Sequence, residues 1–297
     1  MGTTVPAADP GDADHSAGSG PPSIAVPRGA CDCHMHVFDD AFPPARTAVL
    51  THAPARLAAY RRLQARLGLQ RHVIVQPSVY GLDNRLLLQS LAAAGTSARG
   101  VAVIDDRVTD DQLQALSAQR VVGVRFNLVQ RGVTQIGMLS AVASRIQSFD
   151  WHVQLHLPPD ELLAHEDLIA ALPVPVVLDH WGRVASQPSK EVMVAASIQR
   201  LLARGNTWVK LSGAYLASHS RPPYADLAVH AQAWATARPD RLLWGTDWPH
   251  ATEAEKPDDA ELMDLLAQWL PDPGVRNAVL VTNPERLYGF EHRAPGG

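Results

Sequence analysis

Eight times along this chain a short run rich in Val, Ile and Leu gives way to an amphipathic, helix-like stretch. That alternation restricts the fold more than any other feature of the sequence. The expected strands are Ala30–Val37, His72–Gln76, Gly100–Ile104, Val121–Asn127, His152–Leu157, Val174–Asp179, Trp208–Leu211 and Leu242–Gly245. Pro, Gly or Asn often flank them, as strand boundaries require. Helical stretches such as Pro54–Leu67 and Ala225–Ala237 lie between them, and the first sets Leu57, Tyr60, Leu63 and Leu67 on one stripe. Strands alternating with helices make parallel βαβ units, and eight such units close into a barrel. The expected fold class is α/β, a single (β/α)8 barrel over residues 29–291. An open doubly wound sheet is the alternative. The lack of a Gly-rich phosphate loop after the first strand weakens its nucleotide-binding version. Residues 1–28, rich in Gly, Pro, Ala, Ser and Asp, are expected to be a flexible tail rather than a secretory signal. Residues 292–297 are expected to form a short C-terminal tail.

Charge and composition remove whole classes of function. The 297 residues carry 26 Lys+Arg against 30 Asp+Glu, a formal charge of −4, where a nucleic-acid binder needs a basic face. No apolar run approaches the ~18 residues of a membrane span. Cys31 and Cys33 stand one residue apart and are poor partners for each other. A disulfide scaffold is therefore not expected, and a reducing, cytoplasmic setting is. The 13 histidines are the unusual count, and their positions direct the functional reading.

Active-site groups of such a barrel sit at the C-terminal ends of its strands. The first strand ends Asp32-Cys33-His34-Met35-His36. Period-two alternation puts Asp32, His34 and His36 on one face, where two imidazoles can converge on one ion. Strands five, six and eight end in His156, His180 and Asp247, each after an apolar run. One such residue is ordinarily a cap or a loop group. Four strands of one barrel presenting His or Asp at the same end suit a borderline divalent ion such as zinc. Strand four carries Arg125 and Asn127 on one face, with Arg131 in the loop beyond. An arginine buried there needs an anionic partner, either a structural Asp or a bound carboxylate.

The ordered motifs Asp32-Cys33-His34-Met35-His36, Gln76-Pro77-Ser78-Val79-Tyr80-Gly81, Gly123-Val124-Arg125-Phe126-Asn127, Asp179-His180-Trp181-Gly182, Lys210-Leu211-Ser212-Gly213, Gly245-Thr246-Asp247-Trp248-Pro249-His250 and Asn283-Pro284-Glu285-Arg286-Leu287-Tyr288-Gly289 resemble the amidohydrolase superfamily. More narrowly they resemble its branch of pyrone-dicarboxylate lactonases, sulfomuconolactone hydrolases and galactarolactone isomerases. The resemblance spans roughly residues 30–290. It implies a distorted (β/α)8 barrel acting on a lactone. It also implies His34, His36, His156 and Asp247 around one divalent metal, with zinc the first choice and a metal-free mechanism the alternative. Asp247 and His180 would be the catalytic pair. Arg125 and Arg131 would hold substrate carboxylates, with Ser78, Asn127 and His250 lining the pocket. The chain departs from the branch in places. Strand four offers no Lys or Glu to bridge two metals, so a binuclear centre is not expected. His156 stands where the pyrone lactonase has a tyrosine. Leu216 stands where an arginine commonly grips substrate, leaving Arg221 as its candidate replacement.

The expected activity is hydrolysis of a small anionic lactone. Lactone isomerisation or non-oxidative decarboxylation on the same scaffold is the alternative. A non-catalytic small-molecule-binding barrel is disfavoured, because every histidine of the set and Asp247 are retained. The expected partner is a small anionic substrate, with no nucleic acid and no membrane. Homo-oligomerisation stays open.

Overall fold

The computed structural model describes residues 13–50, 52–130 and 132–290. Eight parallel strands pair in chain order: β1 (Cys31–Met35), β2 (Arg71–Val75), β3 (Ala98–Ala102), β4 (Val121–Asn127), β5 (His152–His156), β6 (Val176–Leu178), β7 (Thr207–Leu211) and β8 (Leu242–Trp244). The main outer helices follow in turn: α1 (Leu57–Arg66), α2 (Arg85–Ala94), α3 (Asp110–Ala118), α4 (Leu139–Ile146), α5 (Pro159–Ala164), α6 (Glu166–Ala170), α7 (Glu191–Ala203), α8 (Ala214–Ala217), α9 (Asp226–Ala237) and α10 (Asp259–Trp269). This is the expected (β/α)8 barrel. The strand ends agree with the sequence reading to within two residues, the usual latitude at element boundaries.

The last seam is made differently from the others. β1 and β8 meet through one parallel bridge, Met35 to Trp248. His36 N–H donates to Trp248 O and Asp247 N–H donates to His34 O, both at 2.8 Å. The two strands approach so closely that a Cβ on Gly245 would lie 2.7 Å from both the Cβ and the backbone nitrogen of His34. Only glycine lets the seam close there.

The seam also corrects one expectation. The pairing of β1 with β2 shifts register between Asp32 and Met35. A bulge breaks period-two alternation, so Asp32 does not share a face with His34. Its carboxylate accepts from Tyr60 of α1 (3.0 Å), from Thr246 Oγ1 (2.7 Å) and N–H (3.0 Å), and from His34 N–H (3.0 Å). Cys31 and Cys33 pack in an apolar layer with Val73, Val75, Val101, Val177 and Leu243. Both thiols are free and buried, without a disulfide. Outside the strands, Tyr60 and Leu63 of α1, Leu87 and Leu91 of α2, and Ile198 and Leu201 of α7 fill the layer beneath the helices. Each large apolar side chain buried this way is worth ~1.5–3 kcal/mol.

Of the stretch expected as a tail, residues 1–12 lie outside the described residues, as do 292–297. Residues 13–28 run along the barrel wall. Trp248 Nε1 donates to Asp14 O at 3.0 Å, and the His15 ring lies edge-on to Trp248 at 5.7 Å. Arg66 of α1 reaches Ala17 O and Ser16 Oγ, and Asp264 of α10 accepts from the backbone of Ser23 and Ile24. Among the described residues no helix is long and apolar enough to cross a membrane.

Candidate active site

A buried polar layer supports the mouth of the barrel. Alternation on β5, β6 and β7 delivers Gln154, Asp179 and Lys210 to the interior, where Arg125 of β4 and His34 meet them. Lys210 Nζ donates to Gln154 Oε1 at 2.8 Å and stands 3.3 Å from Asp179 Oδ1. Gln154 Nε2 and Arg125 Nε reach Asp179 Oδ2 at 2.9 and 3.3 Å. His34 Nδ1 lies 3.2 Å from Lys210 Nζ and 3.3 Å from Asp179 Oδ1. Burial would push the Asp179 carboxyl up. The charges of Lys210 and Arg125, together with hydrogen bonding to the His34 ring, outweigh it and hold that carboxyl well below its usual range. Burial in turn lowers Lys210. Breaking such a buried pair is costly, because it strands a charge away from water.

Above this layer His34, His36, His180 and Asp247 converge. His34 Nε2 and His36 Nε2 are 3.3 Å apart. Asp247 Oδ1 lies 3.5 Å from His34 Nε2, 3.6 Å from His36 Nε2 and 3.8 Å from His180 Nε2. His36 Nδ1 donates to Val75 O at 2.7 Å, which leaves its Nε2 lone pair aimed at the cluster. Ser212 Oγ sits 3.0 Å from His180 Nδ1. Burial lowers the pKa of His34, His156 and His180, and that of His36 to about 4, so the imidazoles are neutral at pH 7. Asp247 (φ 64°) and His180 (φ 49°) occupy the left-handed region that non-glycine residues rarely adopt. Such conformers persist only where surrounding contacts impose them. Neighbouring Gly213 (φ 54°) makes room: a Cβ there would come within 2.8 Å of His180 Nδ1 and 3.1 Å of Asp247 Oδ2.

The donor set fits a metal at three positions. Bonds of ~2.0–2.1 Å in tetrahedral geometry place neighbouring donor atoms about 3.3–3.4 Å apart. The spacings of 3.3, 3.5 and 3.6 Å among His34, His36 and Asp247 match that edge length. The His36 contact to a backbone carbonyl is the kind of support metal-bound imidazoles need. His156, expected as the fourth ligand, is not brought into this cluster. Its Nε2 faces Arg183 Nη1 at 3.5 Å, and a guanidinium disfavours a cation beside it.

The pocket over the cluster is lined by Arg125, Asn127, Ser78, Gln130, His156, His180 and Asp247 on its polar side. Phe38, Leu50, Leu216 and Ala251 line its apolar side. Asn127 Nδ2 donates to Ser78 Oγ at 2.9 Å, so those two expected substrate contacts act as one unit. His250 is a correction. It was expected to line the pocket and is instead fully buried behind it, 2.9 Å from the Tyr215 hydroxyl and 3.0 Å from Asp259 Oδ2. The turn after Asp247 folds back under the mouth, and His250 N–H donates to Asp247 O at 2.8 Å. Leu216 occupies the wall, and Arg221, the candidate replacement, is exposed and is not among the residues that line this pocket. Arg131 lies outside the described residues. Sequence reasoning passed over roles for Asp179, Gln154, Lys210, Ser212, Tyr215 and Asp259. Gln154 and Lys210 carried a signal, as polar residues in mid-strand on the faces of His156 and Ser212. Tyr215 and Asp259 carried none.

A parallel barrel whose C-terminal mouth gathers neutral imidazoles around one carboxylate defines a barrel enzyme of the hydrolytic kind. The amidohydrolase family model matches residues 31–290, and the chain belongs to that family. It is similar to 4-sulfomuconolactone hydrolase of Rhizobium radiobacter, 35% identical over 279 residues that cover 91% of this chain and 93% of that protein. It is similar also to D-galactarolactone isomerase of Agrobacterium fabrum, 34% identical over 272 residues, covering 90% and 93%. A crystal structure of an Agrobacterium tumefaciens protein superposes with a TM-score of 0.87 at 33% identity, covering 94% of this chain and 99% of the other.

Proposed function

We propose that this enzyme is a hydrolase that opens a small anionic, carboxylated lactone by attack of water at the barrel mouth. One observation carries the reading: Asp247 Oδ1 stands among three neutral imidazoles beneath a pocket that also presents Arg125. Arg125, with the Asn127–Ser78 pair, takes the substrate carboxylate. Arg131 is a further candidate for the same group. Asp247 accepts a proton from the attacking water and returns it to the ring oxygen as the ester bond breaks. General acid–base help of this kind is worth ~10²–10⁴ in rate. With Ser212 Oγ donating to His180 Nδ1, the imidazole carries its proton on Nε2, where it would meet the carbonyl oxygen as negative charge develops. His34, His36 and Asp247 would hold one divalent ion, zinc by preference. When bound it supplies water of lowered pKa and polarises the carbonyl.

The apolar wall of Phe38, Leu50, Leu216 and Ala251 suits a lightly hydroxylated ring, and this favours hydrolysis over rearrangement of a sugar-acid lactone. The two free, buried thiols suit a reducing cytoplasm. The test is metal analysis of purified protein together with an NMR-monitored screen of muconolactones, aldarolactones and pyrone carboxylates. Ring-opened acid containing one added water is the expected product. An isomeric lactone, or loss of carbon dioxide, would replace this reading with one of its alternatives. Full activity after exhaustive chelation, with no metal detected, would leave the histidines acting directly on the carbonyl.

A further inference from the structure

Behind the pocket a chain of three contacts, fully buried at its far end, ends on the Asp247 carboxylate. Asp259, the first residue of α10, sets Oδ2 3.0 Å from His250 Nε2. His250 Nδ1 lies 2.9 Å from the hydroxyl of Tyr215 in α8. That hydroxyl donates to Asp247 Oδ2 at 2.7 Å. His250 and Asp259 are fully buried, and neither lines the pocket. The directions follow from donor counts. An ionised carboxylate only accepts, so the single proton of Tyr215 goes to Asp247, and the His250 ring is held between the tyrosine oxygen and the Asp259 carboxylate. Burial and the nearby Asp247 charge push the Tyr215 phenol well above its usual range, so the donor proton stays in place.

We propose that Tyr215 is a positioning residue for Asp247, held in register by His250 and Asp259. It ties Oδ2 to the rear of the site and so keeps Oδ1 turned to His34, His36 and His180. A carboxylate rotates readily about its last bond, and a base turned away from the attacking water loses rate rather than substrate affinity. The donor that fixes this rotation belongs neither to the imidazole cluster nor to the substrate contacts. The inference rests on the hydrolase reading for its kinetics and on the contact chain alone for its geometry.

Tyr215→Phe removes one oxygen and keeps the ring, so the variant folds. Two measurements decide the matter. The first is a crystal structure of the variant, in which the Asp247 carboxylate is expected to rotate or split between conformers. A carboxylate with Oδ1 unmoved overturns the proposal, whatever the substrate proves to be. The second is kinetics on the lactone that the wild type opens. We expect kcat to fall about tenfold to a hundredfold, the scale of a lost hydrogen bond to a charged group, with KM within about twofold. A loss confined to KM, or a kcat within twofold of wild type, overturns it. His250→Asn, alone and combined with Tyr215→Phe, completes a cycle. Its effect on kcat is expected to vanish in the Tyr215→Phe background, and independent effects would refute transmission through Tyr215. If the wild type opens no lactone, the hydrolase reading fails, and the position of Asp247 in the variant still decides the role of Tyr215.

Discussion

Asp247→Asn separates the architecture of the site from its proton chemistry. The amide matches the carboxylate in shape. Its carbonyl oxygen can take the place of Oδ2 and accept from Tyr215, now 2.7 Å away. Its NH2 then faces the His36 Nε2 lone pair, which is available because Nδ1 donates to Val75 O. The Tyr215 contact survives but becomes a neutral hydrogen bond. That change costs about 1 kcal/mol, the difference between a charged and a neutral hydrogen bond. In a barrel of this size such a loss lowers Tm by only a few degrees. The chemical loss is much larger, because an amide accepts no proton from water near neutral pH. Removing general-base help lowers kcat by ~10²-fold or more. Hydrolysis and reverse lactonisation should fall together, since the same group moves the proton both ways. The assay is steady-state ring opening in both directions, with Tm and metal content measured on the same preparation. A variant that folds, keeps part of its metal and retains more than about a tenth of wild-type kcat refutes the assignment. The base would then be sought at His180, whose Nε2 is 3.8 Å from Asp247 Oδ1.

Three further outcomes are expected. Arg125→Met should lower kcat/KM on an anionic lactone by ~1.5–3 kcal/mol while Lys210 and Gln154 keep Asp179 paired; an unchanged kcat/KM would leave Arg125 as a partner of Asp179 alone. Acid should destabilise the fold before it reaches ordinary carboxylate pKa values. Burial holds His72 and His152 at about 3, so they stay neutral in the folded chain while the unfolded chain takes up protons below about 6.5. Their contribution is full above pH 6.5 and is lost as pH falls. Asp32, raised by burial to about 6, acts in the opposite direction but is a single group with a smaller shift. Urea titrations at pH 7 and pH 5 should therefore differ by a net loss of at least about 2–3 kcal/mol, to which the buried His34, His36, His156 and His180 add in the same direction, and a flat or rising stability contradicts the neutral-histidine reading. Gly245→Ala should cost several kcal/mol in Tm-derived stability or prevent folding, because the new Cβ falls 2.7 Å from His34; a variant as stable as wild type would show that the seam can relax.

The alternation of strand and helix was legible because each strand is bounded by turn-forming residues and each helix buries one stripe. The groups at the strand ends were legible for the same reason. A polar residue after an apolar run on an inward face has few places to go except the mouth, and His34, His36, His180, Asp247, Arg125 and Asn127 all arrive there. The reading failed where periodicity fails. The register shift in β1 turned Asp32 away from His34, and no pattern in five residues reports a bulge. The turn after β8 carried His250 beneath the mouth instead of into it, because a left-handed residue at Asp247 (φ 64°) reverses the chain, and Asp gives only a weak cue for that conformation. Residues 13–28 read as a tail because their composition is that of a linker. The contacts that lay them against α1 and α10 are made by Arg66 and Asp264, far away in sequence.

The site and the barrel closure are one structure. The seam between β1 and β8 is held by Asp32, which receives donors from Thr246, Tyr60 and His34, and by the exchange of backbone bonds between His34, Asp247, His36 and Trp248. The residues that exchange those backbone bonds are members of the cluster or, for Trp248, next to one. A barrel of regular pairs would carry eight equivalent joints, and its stability would be indifferent to which joint bears the chemistry. Here the irregular joint brings His34 and Asp247 within 3.5 Å, an approach that Gly245 permits and a regular ladder with side chains at each position would prevent. Substitutions at Asp32, Thr246 or Gly245, none of which lines the pocket, should therefore lower stability and turnover together. Substitutions in the regular β2–β3 pairing should change stability alone. A variant at Asp32 that kept full activity after losing several kcal/mol of stability would separate closure from catalysis and break this link.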